Sequence, residues 1–491
     1  FDVIVVGAGN AAFCAAMAAR EKGASVLVLE RAPEDENGGN SRFTAGAFRV
    51  AYDGVDDLKA LMPDLSDDEI ANTDFGTYTT DQFFDDMFRI TRFRTDPELC
   101  ERLVRRSFDS LQWLQDKGVR FVPIYGRQAY KIDGRFKFWG GLTVESVGGG
   151  PGLVDRETEL ARELGIEVRY GARVVGLAFD GHAVTGVKVK SGGDIYDITG
   201  KAVVLASGGF ESNPEMRTRY LGPGWELAKV RGTRFNTGDG IRMALDIGAS
   251  PYGNWSGCHA VGWDYNAPEF GDLTVGDNFQ KHSYPWGIMV NAKGQRFVDE
   301  GADFRNYTYA KYGREILNQP DQFAWQVFDS KIIPMLRDEY RIRRVTKVSA
   351  NSLEELAGKL EGVDPKGFLA EVKAYNDAVD TDTPFDPNVK DGRSAQGLAV
   401  PKSNWANKLD EGPFEAFQIT CGITFTFGGL RTDPDTGQVI DSDLTPIPGL
   451  YAAGELVGGI FCFNYPGGTG LMSGTVFGRI AGTGAGEAAV G

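Results

Sequence analysis

The sequence is poor in cysteine, poorer in histidine, and free of any long apolar run. Its five cysteines (Cys14, Cys100, Cys258, Cys421, Cys462) include no C-x-x-C pair, which argues against zinc, iron–sulfur and haem-attachment frameworks. No metal site is expected. Scattered, odd-numbered thiols fit a reducing compartment. The chain opens on an apolar strand rather than a leader, and a cytoplasmic location is the expectation. No window reaches the roughly 18 apolar residues of a membrane span. Basic residues are in deficit, 52 against 68 acidic, for a formal net charge of -16. That balance argues against nucleic acid as a partner, which would need a basic face.

Glycine, by contrast, is abundant. There are 65 in 491 residues, about 13% against a usual figure of roughly 7%. They follow no G-X-Y period. They cluster after apolar runs, where a backbone turns sharply or approaches a ligand closely. The length itself predicts two domains.

The first thirty residues read strand, tight turn, helix, strand. Phe1–Val6 is a buried parallel-type strand, an alanine-rich helix runs from about Asn10 to Lys22, Gly23 ends it, and Ser25–Glu30 is the next strand. Between them stands Gly7-Ala8-Gly9-Asn10-Ala11-Ala12. A glycine turn there brings the backbone to a pyrophosphate at the positive end of the helix. Ala12 fits the third position of the fingerprint, and Glu30, 18 residues on, stands where a ribose-binding acid is expected. Strand, turn, helix and terminal acid together predict dinucleotide binding.

Three later segments favour FAD over NAD. Ala202–Ala206 is a second apolar strand leading into Ser207-Gly208-Gly209-Phe210, and Gly449–Glu455 is a third strand-to-turn segment ending in an acid. Gly467-Gly468-Thr469-Gly470 then opens a small-residue helix, Leu471 to Ala485. Its N-terminus could hold negative charge on a reduced flavin ring. Between about 254 and 424 aromatics become frequent and helices such as Ser352–Leu360 and Pro365–Ala378 carry ordinary surface charge. The predicted architecture is α/β: a Rossmann-type FAD-binding domain of residues 1–253 and 425–491, with an inserted α+β capping domain, 254–424, for substrate.

At this point the chain resembles the fumarate reductase/succinate dehydrogenase flavoprotein superfamily. Its nearest branch is similar to tricarballylate dehydrogenase-like proteins, with 3-ketosteroid Δ1-dehydrogenases as relatives. The matching pieces are Gly38-Gly39-Asn40-Ser41, Ala206 to Phe210, Gly238-Asp239-Gly240, Arg296 to Glu300, Gly449 to Glu455 and Asn464 to Gly468. The resemblance implies that Glu30 holds the adenosine ribose and Glu455 the ribityl chain. It lays the loop of Gly39, Asn40, Ser41, Thr44, Ala45 and Gly46 along the flavin, and adds Arg31, Val174, Asp239 and the Gly454, Gly468, Gly470, Leu471 group to the cofactor set. Phe43 stands where succinate dehydrogenases carry a flavin-linking histidine, so the implied FAD is non-covalent.

For the substrate side the resemblance implies hydride exchange at a C–C bond beside a carbonyl or carboxylate. His259 is the implied substrate-binding histidine. Arg305, five residues beyond Glu300, competes with Tyr307 as the proton-transferring group. Phe425 and Tyr465 replace two cationic, carboxylate-holding groups of the fumarate reductases, which removes charge-assisted bonds about twice as strong as neutral ones. A small dicarboxylate is therefore disfavoured, and Tyr465 is expected to bond a substrate carbonyl. Phe427, Phe461 and Phe463 are expected to make the pocket apolar. Electrons would pass to or from an external donor or acceptor. Two alternatives stay open: a flavin-dependent isomerase without net redox, and an electron-transfer or cobalamin-pathway flavoprotein.

Overall fold

The computed structural model describes residues 1–491. Its first layer is a six-stranded sheet in the order 438–440, 446–452, 202–205, 3–6, 26–29, 167–169. The five strands from Pro446–Ala452 to Glu167–Arg169 are parallel, and Gln438–Ile440 adds an antiparallel edge. Val3–Val6, Val26–Leu29 and Ala202–Leu205 are buried throughout, as continuous apolar runs in a sheet covered on both faces must be. The predicted helix runs Asn10–Glu21 and the C-terminal one Thr469–Val490, longer than its sequence expectation because its glycines are contacts rather than breaks. Gly474, Gly478 and Gly482 recur every four residues and so share one face. A Cβ on Gly478 would stand 2.5 Å from the Ala11 carbonyl oxygen, and one on Gly482 2.1 Å from that of Ala15. Only glycine lets the two helices lie so close. Asn10 then ties them, its Nδ2 donating to the Leu471 carbonyl at 2.9 Å.

The second large sheet is organised by one 13-residue strand, Phe414–Thr426. Cys258–Asp264, Ala324–Phe328 and Lys347–Ala350 pair with it antiparallel, and Ile288–Val290 extends the sheet beyond Ala324–Phe328. Lys229–Val230 pairs with it in parallel. The sheet therefore draws a strand from ahead of residue 254, and its central strand runs past 424, so the two architectural layers interlock at the expected boundary. Helices Leu353–Lys359 and Pro365–Ala378 cover this sheet around Trp325, Val327, Phe368 and Tyr375. No helix is long and apolar enough to cross a membrane.

The antiparallel register sets up the site. His259 lies directly opposite Phe425, with a bulge between His259 and Ala260. A bulge re-aims side chains locally, and here both rings reach the cavity described next.

Candidate active site

A large cavity runs between the two layers. At its outer end the turn Gly7 to Ala11 forms the floor. Gly7 has φ +111°, and a Cβ there would stand 2.4 Å from the Ala206 carbonyl oxygen, so the turn packs directly on the next strand. Gly9, the N-cap of the helix that starts at Asn10, has no side chain to cap it, so apart from a contact with Ser41 the positive end of the helix faces the cavity. Ser41 Oγ accepts from the Asn10 amide at 3.1 Å and holds the Gly39–Phe43 turn against that end.

Glu30 is buried at the tip of its strand, accepting from the Ala32 amide at 2.7 Å. Burial raises its carboxyl, while the amides of Ala32, Ala8 and Arg31 oppose the rise. Nearby, Asp239 is gripped by Arg173 at 2.8 and 3.1 Å and by Arg31 at 3.3 Å. Arg173, Val174 and Ala172 line this end together.

Further in, Ala206, Ser207, Gly208, Asn40, Thr44, Ala45, Gly454 and Glu455 line the walls. Asn40 acts mainly as a tie: its Nδ2 donates to Glu211 and to the Thr424 carbonyl, both at 2.7 Å, and its Oδ1 accepts from the Thr233 amide at 2.9 Å. Glu455 accepts from the Thr426 amide at 2.7 Å. Glu211 is wholly buried beside it, and burial together with the charge of Glu455 pushes its carboxyl well above the usual range. Gly468, Gly470 and Leu471 open the C-terminal helix onto the same space.

The inner end gathers the substrate-side candidates. His259, Tyr309, Tyr465 and Phe425 form an aromatic wall, with His259 4.7 Å from Tyr465 and 4.9 Å from Tyr309, ring centre to ring centre. Neither nitrogen of the buried His259 ring has a protein partner. Burial and the nearby charge of Arg231 lower its pKa well below the usual value, so it faces the cavity as a neutral imidazole. Opposite stands Arg305. Its Nη2 donates to the Arg127 carbonyl at 2.6 Å and its Nη1 meets His282 Nδ1 at 3.3 Å. No carboxylate pairs with it. Arg231 and Arg127, by contrast, both spend their charge on Asp277, at 2.7 and 2.9 Å. Burial lowers Arg305, with Arg337 and Arg127 adding to the effect and Glu339 opposing it.

Of the cofactor residues expected from sequence, all but two line the cavity. Ala12 is buried in the helix, away from the cavity lining, in the packing role that its position implied. Gly46 lies off the lining: at φ +73° it packs on Gly149, where a Cβ would meet Ser146 Oγ at 2.3 Å. On the substrate side Tyr307 needs correction. Its hydroxyl bonds Asp86 at 2.5 Å and the Gly140 carbonyl at 2.7 Å, under the guanidinium of Arg49, and it does not reach the cavity. The turn Arg305–Tyr307 ends there and the helix Tyr309–Leu317 begins, so Tyr309 is the tyrosine that faces inward. The phenylalanines differ as well. Phe427 and Phe461 pack behind Phe425 at 6.2 and 5.6 Å, and Phe463 is 46% exposed beneath Arg92. Only Phe425 of the four lines the cavity.

Sequence reasoning missed His282, Tyr309 and the Arg231–Asp277–Arg127 group. No local motif surrounds them. The scarcity of histidine was the one available signal, since His182, the third, sits exposed in a surface turn.

The geometry agrees with what comparison with known proteins finds. The profile of a family described as FAD binding domain matches residues 2–471. A probable fumarate reductase, Ifc3, of Shewanella frigidimarina is 30% identical over 496 residues, covering 100% of this chain and 75% of that protein. Vinyl phenol reductase of Lactiplantibacillus plantarum is 28% identical, covering 98% of this chain and 96% of the other. The crystal structure of 3-ketosteroid Δ1-dehydrogenase from Sterolibacterium denitrificans superposes with a TM-score of 0.75 at 22% identity, over 99% of both chains.

Proposed function

The chain belongs to the FAD binding domain family of fumarate reductase-like flavoprotein oxidoreductases, and on that premise we propose that it moves hydride at a C–C bond conjugated to a carbonyl or carboxylate, with FAD held non-covalently. The helix end at Asn10 behind its glycine N-cap, the Gly7 turn and the buried Glu30 fit a dinucleotide. Ser207 Oγ and Gly208 beside them offer a polar wall where a Cβ on Gly208 would strike Asn236 at 2.4 Å. Phe43 lines the cavity where a covalent link would need a nucleophile. Bound there, FAD supplies two-electron hydride chemistry, and an external carrier balances the electrons.

The observation that carries the reading is the inner cavity itself: one cation with no carboxylate partner, Arg305, set against an aromatic wall bearing the Tyr465 hydroxyl. Tyr465 donates to the substrate oxygen that gains charge. Arg305 exchanges the proton at the neighbouring carbon. Neutral His259 adds a donor, and the rings of Phe425 and Tyr309 hold a flat unsaturated group away from water. A tricarboxylate is poorly served, since the inner end has a single guanidinium free of carboxylate for three charges. A monocarboxylate or an enone fits better. The segment 254–424, with Lys229–Val230, serves as the lid.

The test is an anaerobic panel of cyclic enones, unsaturated monocarboxylates and polycarboxylates, read by flavin absorbance at about 450 nm. Enones or monocarboxylates should reoxidise chemically reduced protein, or their saturated forms should bleach it. Acid should release all of the yellow colour. A flavin that no compound in the panel reoxidises or reduces would overturn the reading.

A further inference from the structure

Behind the inner end of the main cavity lies a second, much smaller one, and the two share the wall made by Arg127, His282 and Arg305. Its polar lining is unusual in being made of donors. Trp139, His282 and Ser283 are 8%, 3% and 2% exposed, and Trp139 Nε1, His282 Nε2 and Ser283 Oγ have no hydrogen-bond partner in the protein. The indole N–H can only donate. The His282 ring is fixed as well: its Nδ1 faces the Arg305 guanidinium at 3.3 Å, and a guanidinium can only donate, so Nδ1 accepts and the proton sits on Nε2. The hydroxyl of Ser283 can donate too.

Charge points the same way. Arg305, Arg127 and Arg337 all line this cavity, and no Asp or Glu does. Arg127 pairs with Asp277. Arg337 lies 3.8 Å over the Tyr130 ring and gives Nη2 to the Ala129 carbonyl, without an acid partner, and Arg305 has none either. Buried charges are normally paired and buried donors normally satisfied. Water would satisfy the three donors but bring no negative charge to these half-buried arginines, and Glu339 acts on Arg305 only through space.

We infer that this chamber is a binding site for one small monovalent anion, of halide to carboxylate size, held by Trp139 Nε1, His282 Nε2 and Ser283 Oγ in the field of Arg305 and Arg337. The anion comes either from solution or as the distal carboxylate of a substrate that reaches past Arg305. From this position it counterbalances Arg305 on the side away from the reacting bond.

The test uses the FAD-loaded protein, crystallised and soaked in sodium bromide, with data collected at the bromine absorption edge. An anomalous peak within hydrogen-bonding distance of Trp139 Nε1 and Ser283 Oγ is expected. Density there without anomalous signal means water and overturns the inference. In solution, bromide should raise the unfolding temperature above that in sodium gluconate at equal ionic strength. Ser283→Ala, the mildest change, should reduce that difference and Trp139→Phe should abolish it. A bromide response unchanged in Ser283→Ala and Trp139→Phe would place the ion elsewhere and also overturn it. Steady-state kinetics separate the two sources. Bromide raises KM for a carboxylated substrate but not for a neutral enone if the substrate's own carboxylate is the anion. It leaves both KM values alone if the ion is free.

Discussion

The hydroxyl of Tyr465 accepts a hydrogen bond from the Gly470 amide at 2.7 Å. The backbone thus takes a lone pair of the phenol and leaves its proton free for the cavity. Gly470 permits the contact, since a Cβ there would stand 2.9 Å from the same oxygen. Burial raises the Tyr465 pKa, with the amides of Gly470 and Gly468 opposing the rise, so the group stays a neutral donor at ordinary pH. Tyr465→Phe should keep its flavin and lose about 10²–10³ in turnover, the usual effect of removing one donor to a developing charge. Turnover within a few-fold of wild type would remove Tyr465 from the chemistry.

Two tyrosines two residues apart should separate cleanly. Tyr309→Phe alters the cavity wall and should lower kcat/KM. Tyr307→Phe removes the bonds to Asp86 and Gly140, which should cost stability on the order of 1–3 kcal/mol while leaving kcat nearly unchanged. Denaturant unfolding and steady-state kinetics on both variants check this. The reverse pattern would restore Tyr307 as the reacting tyrosine.

Arg305→Ala should reduce turnover by about 10³ or more, since it removes both a charge and a proton carrier. His259→Ala should act mainly on KM, because a neutral donor positions substrate without moving a proton. If Arg305→Ala changed KM alone, the proton would have to come from another group.

Glu30→Ala should weaken FAD binding by about 1.5–3 kcal/mol, the worth of a charged hydrogen bond, or roughly 10- to 150-fold in Kd. Equilibrium titration of the apoprotein with FAD measures it. Unchanged affinity would mean the strand-end acid does not hold the ribose.

Glu211 makes a pH prediction. Burial raises its pKa in the folded chain, so its contribution to stability is full below the unfolded value of about 4.5 and is lost as pH rises toward the folded value. Its Oε2 has no hydrogen-bond partner. Glu211→Gln keeps the acceptor for Asn40 and Asn236 and cannot ionise. Its unfolding temperature should gain on wild type as pH rises from about 5 to 8. Parallel curves for the two proteins would show that Glu211 is already ionised when folded.

The cofactor end of this protein was legible in the sequence because its determinants are local. A strand, a two-glycine turn, a helix and an acid at Glu30 lie within thirty residues, and the torsions of such a turn are set by residue type. The helix at the C-terminus and the strands at 202–205 and 446–452 were equally plain, being long apolar or small-residue runs. The substrate end was decided only by tertiary structure. Arg127, Asp277 and Arg231 lie on three separate segments, and no spacing in the chain tells that two of those arginines share one acid while Arg305 has none. Tyr307 and Tyr309 look alike in the sequence. Which of them faces the cavity is set by the turn at Arg305–Tyr307, where the chain enters its helix, and by Asp86 and Arg49, which arrive from more than 200 residues away to claim the first hydroxyl. Periodicity and glycine turns are properties of a stretch of chain. The pairing of buried charges is a property of the packed interior, and it can be read only once the chain has folded.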